Sequence, residues 1–496
     1  MTSVQVISKP GGKYRVVKTI GCDSDPQQIN KLRELGQQWI SQQMGLQSLE
    51  LGFEPDKIVL DFISNGLEHI RPAGADLVLN LLFDEIGFNV VPEEMFRYLV
   101  LCRLVYPGSK LRTTEYLARH HGIFVDVEAV YRFMDRFSKN YKTKVEQASF
   151  EHTCKILGGT PSVVFYDVTT LYFEASREDD FRQTGFSKDG KAQNPQIVLG
   201  LLVASMGYPL AYSMFEGSKY EGHTMIPVIE AFKKDFKLEK LIVVADAGLM
   251  SASNIKQLIA EGYDFILGAR LKAETKTVKS QVLDMGLTHG QSATITRPDG
   301  HRLIVNHTDQ RAKQDVRNRT KGLEKLEQAI QAGKLNKEHI NNRGYNKFLK
   351  LDGKLKVELN KDKVKEDQKW DGLKGYLTNT NLPDQEVVEN YRQLWNIEKA
   401  FRMSKTDLKF RPIFHRKKSR IETHLCIAFC SYKLYKELER QLQEAKSDVS
   451  PERAVAILNS VYELQLKLPR SGKRMTKLIV RSEEQKHLLN IFNIPF

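Results

Sequence analysis

A chain of 496 residues is longer than one hydrophobic core supports, since such cores stop growing near ~250–300 residues, so several domains are expected. With 41% hydrophobic and 27% charged residues, wholesale disorder is excluded, and 75 Lys+Arg against 61 Asp+Glu, a formal +14, suit a polyanionic partner such as nucleic acid without singling one out. The five cysteines (Cys22, Cys102, Cys154, Cys426, Cys430) form no C-x-x-C pair and read as reduced thiols, while Gly200, Gly207 and Pro209 interrupt the longest apolar run, so a cytoplasmic chain with no membrane span is expected.

Residues 1–65 open with a strand-like piece, Lys13 to Thr19, and a polar helix near Gln27 to Met44. From 66 to 158 apolar residues recur three and four apart, as in ADLVLNLLFDEIGF and PEEMFRYLVLCRLVYP, which predicts helices. Joined by short turns and carrying exposed Arg and Lys, they suit a helical DNA-binding region of helix-turn-helix type, and equally a packing layer. Between 159 and 270 the texture becomes short β-branched runs separated by helical ones, in the order β-β-β-α-β-α-β. That is the order of a ribonuclease-H-like α/β core. The charged stretch 271–375 is expected to be an inserted subdomain. The core resumes over 376–435 with GYLTNT and a long helix from Asp384 to Leu408, and 436–496 reads as a C-terminal helical region.

Three acidic residues stand out against their surroundings. Asp167 interrupts the apolar strand VVFYDV, and Asp246 closes a second one, VVADAG. An acid at a strand end is commonly a turn former or a helix cap. In the strand order above, however, the first and fourth strands are neighbours, which brings these two carboxylates together, where they repel unless a cation intervenes. Glu398 falls on the stripe Val387, Tyr391, Leu394, Glu398, Phe401, Lys405 and Leu408 of the long helix, so it is expected to point inward and to require a metal, the alternative being a surface pair with Arg402. Three carboxylates make an all-oxygen site suited to Mg²⁺ or Mn²⁺.

At this point the sequence resembles the DDE transposases of bacterial insertion sequences, in the group whose signature is Tyr-x2-Arg-x3-Glu-x6-Lys. The signature falls on YRQLWNIEKAFRMSK, with Tyr391, Glu398 and Lys405 in place and Leu394 where the group has Arg. The blocks YDVTTLYFE, FSKDGK, VVADAGLMS, GYLTNT, IEKAFRMSKTDLKFRPIFH and RIETHL resemble the long-insertion subgroup and run in family order over roughly 75–435. The resemblance implies Asp167, Asp246 and Glu398 as catalytic ligands of two Mg²⁺ or Mn²⁺ ions, with Tyr391 and Lys405 on DNA phosphate. Arg392 or Arg402 could supply the guanidinium missing at Leu394. It further implies double-stranded DNA partners, namely terminal inverted repeats and target DNA, and a homodimer in a paired-end complex near the nucleoid. Trp370 is expected to touch a base, as in hairpin-forming relatives, Trp395 to be a core anchor, and Asp189 with Gly190 to form a hairpin turn. His223, His415 and His424 are expected to cap or pack. Rival readings are a nuclease of the same fold, a catalytically silent DNA-binding descendant, and a two-metal phosphatase.

Overall fold

A computed structural model describes the chain except residues 44–54, 176, 188–189, 192, 239, 250, 342–343, 353–355, 407, 410–412 and 469–470, together with a few further side chains, that of Lys405 among them. The expected turn at Asp189, and Arg411, lie outside the described residues. Two compact units result: residues 1–69 with 464–477, and residues 70–463 with 478–496. In the first, strands Thr2–Ser8 and Arg15–Asp23 pair antiparallel and the helix Pro26–Gln43 packs on them.

The second unit opens with helices α1 (Gly74–Ile86), α2 (Glu94–Val105), α3 (Lys110–Tyr116) and α4 (Val127–Leu157). Asp126 caps α4 by accepting from the Glu128 N–H, and Gly158, in the left-handed conformation, ends it. The strands β1 (Val163–Tyr172), β2 (Gln196–Val203) and β3 (Pro209–Glu216) follow, then α5 (Met225–Phe236), β4 (Ile242–Ala245), α6 (Ala252–Ala260) and β5 (Asp264–Ala269). This is the predicted order of a ribonuclease-H-like α/β core.

The stretch 271–375 divides. Its first part contains α7 (Lys276–Asp284) and two strands, β6 (Ser292–Thr296) and β7 (Arg302–His307), that extend the core sheet. The rest, beginning with α8 (Asp309–Gln331), builds a small apolar cluster of its own around Leu326, Phe348, Leu349 and Val357. The strand β8 (Leu373–Thr378) then completes one eight-stranded mixed sheet in the order β3-β2-β1-β4-β5-β8-β7-β6.

Both faces of that sheet are covered, which is why its strands are nearly continuous apolar runs. Alternate residues supply the two cores. Val164, Tyr166, Val168, Val243, Ala245, Phe265 and Leu267 join Ile229 and Phe232 of α5 and Leu258 of α6 on one face. Phe165, Val244, Ile266, Ile304 and Tyr376 meet the other face's helices, including α1, α2 and α4. The helices of 74–157 therefore bury their apolar sides in the same core as the sheet, the packing role that the sequence left open.

After β8 the expected single helix Asp384–Leu408 is two, α9 (Asp384–Arg392) and α10 (Trp395–Thr406). At the joint the backbone bonds tighten to i→i−3: Leu394 N–H donates to Tyr391 O (3.1 Å), Asn396 to Gln393 (2.9 Å) and Ile397 to Leu394 (3.1 Å). Three residues per turn keeps Tyr391, Leu394, Ile397 and Ala400, each three apart, on the buried side. The stripe anticipated from an unbroken helix is thereby rotated, and Glu398 is exposed instead of inward. Trp395 is corrected by the same joint: it is 56% exposed and is no core anchor. A long helix, α11 (Lys418–Glu444), continues the core, and the C-terminal stretch expected to be helical also contains the strand Tyr462–Lys467.

Tyr166 is wholly buried and its hydroxyl donates to Thr224 (2.8 Å), in contact with Gly200 of β2. A Cβ at Gly200 would lie 2.4 Å from that hydroxyl. Gly200→Ala is therefore expected to destabilise the chain by about 1–3 kcal/mol, measured by denaturant unfolding; an unchanged midpoint would show that the β1/β2 contact tolerates the methyl group.

Candidate active site

Strands β1 and β4 run parallel with Val163↔Ile242, Val164↔Val243, Phe165↔Val244 and Tyr166↔Ala245 paired. Asp167 and Asp246 are the next residue on each. Both continue the Phe165 and Val244 side of the pleat, so their side chains belong to the face on which α9 and α10 lie. With neighbouring strands ~4.8 Å apart, the two acids are side by side at the carboxyl end of β4. Asp167 Oδ1 accepts from the Val168 N–H (2.8 Å) and Asp246 Oδ1 from the Ala247 N–H (2.7 Å).

The hydroxyl of Tyr391, on α9, donates to Asp246 Oδ1 at 3.1 Å. Burial, then the charge of Asp246, raises the Tyr391 pKa, so this phenol stays a donor. The approach is possible because β5 has a glycine beneath the ring: a Cβ on Gly268 would come within 2.4 Å of the Tyr391 hydroxyl and 3.0 Å of the Ala247 nitrogen. Tyr376 of β8 holds the ring from the side, centroid to centroid 5.0 Å at 65°. Arg302 of β7 fixes the start of α9 by donating to Thr380 O (2.9 Å) and Leu382 O (2.8 Å) and by pairing with Asp384.

Glu398 lies exposed in the first turn of α10, which packs against β1. It shares an electrostatic environment with Asp246: the charges of both act on Tyr391 and on Lys374. Among the described residues no three His, Cys, Asp or Glu side chains close a metal cage as they stand. The donor set nevertheless fits a hard divalent cation, because Asp167 and Asp246 present carboxylates from adjacent strands on one face, and the exposed Glu398 side chain is free of core packing.

Lys374 was not singled out by the sequence. Its ammonium lies 4.4 Å from the centroid of the Tyr391 ring, on the side of Asp246 and Glu398. Burial lowers its pKa, the cations Arg311 and Arg392 act in the same direction, and Asp246 and Glu398 oppose them. The only sequence signal was position: it stands two residues before Tyr376 on β8, hence on the same face.

Trp370, Arg311 and Lys374 line a cavity of about 970 Å³ that reaches Asp246 and Tyr391. Lys272 and Lys347 on its wall are both held by Asp367 (2.6 and 2.7 Å), and Arg319 by Asp371 (2.6 and 2.5 Å). Trp370 is half-buried against Leu271 and Val278. Arg402 and Arg392 are exposed, and Leu394, at the signature's Arg position, is buried.

A family model described as a transposase DDE domain matches residues 158–434, more than half of the chain. No curated protein sequence matches. Among solved structures, a piggyBac transposase synaptic complex with hairpin DNA is similar over 74% of this chain and 70% of that chain, at 12% identity and a TM-score of 0.36. The Mos1 transposase paired-end complex with left transposon end is similar over 35% of this chain and 58% of that chain, at 11% identity and a TM-score of 0.16.

Tyr391→Phe keeps the ring and removes the donor to Asp246. A hydrogen bond to a carboxylate is worth about 1.5–3 kcal/mol, so any metal-dependent DNA cleavage is expected to fall roughly tenfold to a hundredfold, in a chain that remains folded by circular dichroism. A rate equal to that of the parent would remove Tyr391 from the site.

Proposed function

Because the chain belongs to the transposase DDE domain family, we propose that it is the transposase of a bacterial insertion sequence, binding the terminal inverted repeats of its own element, cleaving there and joining the freed 3′ ends to target DNA. What supports this reading is the register that sets Asp167 and Asp246 side by side, beneath the helix that carries Glu398.

In this reading Asp167, Asp246 and Glu398 hold two Mg²⁺ or Mn²⁺ ions. Such ions, when bound, supply an activated water and stabilisation of the leaving oxygen. The chain's own groups do the rest. Tyr391 fixes the orientation of the Asp246 carboxylate. Lys374 offers positive charge beside the carboxylates, where the phosphate being cut must approach, and so does the work of the guanidinium that Leu394 cannot supply. Lys405 and Arg402 contact the DNA backbone, and Trp370 stacks on a base admitted to the cavity beside Asp246. Two ends must be held together, so the working species is a homodimer. The site of action is the cytoplasm, at the nucleoid; among the described residues no helix is long and apolar enough to cross a membrane.

Single changes Asp167→Ala, Asp246→Ala and Glu398→Ala are each expected to reduce cleavage on the order of a thousandfold or more, while the affinity for end DNA changes little. The measurement is cleavage and strand transfer on a labelled duplex carrying the element end with Mg²⁺, alongside a binding titration. Full cleavage by any of the three variants would sink the assignment of that carboxylate. Cleavage without joined product would identify a hydrolytic nuclease.

A further inference from the structure

A second cluster of cations lies away from the three carboxylates, where α2 and α3 meet the segment following α10. It surrounds a cavity of about 360 Å³ lined by Arg103, Lys110, Arg112, Tyr131, Lys409 and His415 among others, and among the described residues no Asp or Glu lines it. Lys110 is 4% exposed, and among the described residues its ammonium has no hydrogen-bond partner. Arg103, 5% exposed, spends one guanidinium nitrogen on the carbonyls of Gly108 (3.1 Å), Leu408 (3.4 Å) and Lys409 (3.4 Å).

A buried ammonium without a partner costs several kcal/mol in a protein interior, and ordinarily a carboxylate relieves it. None does so here. The nearby carboxylate, Asp135, is taken by the Arg420 fork (2.7 and 2.7 Å) and by Lys417 (3.5 Å). His415 adds no negative charge, and burial with Lys110, Arg420 and Arg103 close by lowers its pKa to about 3, which leaves it a neutral ring. Burial, reinforced by Arg103, likewise pulls the Lys110 pKa well below its usual range, a shift that an anion seated in the cavity would oppose. At about 30 Å³ per water molecule, the cavity has room for a tetrahedral oxyanion and part of its hydration shell. Arg112 and Lys409 are exposed and stand at its mouth.

We propose that this pocket is an anion subsite in which Lys110, with Arg112 and Lys409 at the entrance, binds a phosphate group. The DNA source of that phosphate, a backbone phosphodiester held at a distance from the cut, rests on the function proposed above; the pocket itself does not. Arg103 connects the subsite to the reaction centre, because two of the three carbonyls it holds, those of Leu408 and Lys409, belong to the residues just beyond α10, the helix of Glu398.

The test uses the full chain, the conservative variant Lys110→Met, and the surface variants Arg112→Ala and Lys409→Ala, which remove no buried packing. One arm titrates a duplex oligonucleotide over a range of NaCl concentrations. Each lost phosphate contact reduces the slope of log affinity against log salt by about 0.9, so each variant is expected to lose about one unit of slope and roughly tenfold in affinity at low salt. The other arm follows Tm as inorganic phosphate is added. A lowered slope with the phosphate response unaltered assigns the pocket to the DNA backbone. A phosphate-induced rise in Tm that disappears in Lys110→Met, with DNA slopes intact, assigns it to a free anion. If the parent chain does not bind DNA, the transposase reading fails and the phosphate arm alone decides the pocket. Parent-like behaviour of all three variants in both arms overturns the subsite.

Discussion

Parallel pairing of β1 with β4 is the constraint on which the rest of the candidate site depends. Because the ladder ends at Tyr166↔Ala245, the two acids that follow sit at the same height and on the same side of the pleat. A slip of one residue would turn either of them into the opposite core, among Tyr166, Val168 and Ala245. The apolar residues on both sides of each acid enforce the register, since a shifted strand would bury a carboxylate without a partner. Everything else is fitted around that pair: Gly268 lets Tyr391 reach Asp246, Tyr376 braces the ring, and Arg302 anchors the helix that carries it.

Two networks of cations serve different ends within this molecule. On the wall of the large cavity Lys272, Lys347 and Arg319 are occupied by Asp367 and Asp371, so they act as structural ties between the sheet and the segment that follows α8. Among the described residues Lys374 and Lys110 have no such carboxylate bonded to them, and burial lowers the pKa of both. The formal +14 of the sequence therefore says little by itself. What matters is which of the cations remain uncommitted after folding.

Much of the core was legible in the sequence because its signals are local. The alternation of short β-branched runs with helical ones gave the strand order, and the family-like blocks gave the two strand acids. The break between α9 and α10 was not legible. Tyr391, Leu394, Ile397 and Ala400 match a three-residue repeat, yet Val387, Tyr391, Leu394, Glu398 and Phe401 match an ordinary helix just as well, and only the surface on which the helix packs decides between them. Trp395 was misjudged for the same reason. Lys374 and Lys110 were invisible for another: each acquires its meaning from surroundings distant in sequence, Asp246 and Tyr391 in one case, a cavity lined among the described residues by no carboxylate in the other.

The manner in which the segment after β7 is attached has an evolutionary consequence. Its entry and exit are paired neighbours, His307 of β7 lying opposite Leu373 of β8, and its apolar cluster around Phe348 is its own. Chain spliced between two adjacent antiparallel strands leaves the ladder outside the splice unchanged, and lengthening such a loop costs only about 0.6 kcal/mol per doubling. This stretch is thus a cassette that lineages can exchange, shorten or enlarge while the carboxylate-bearing strands β4 and β1, two and three places from β8 in the sheet, inherit their alignment intact.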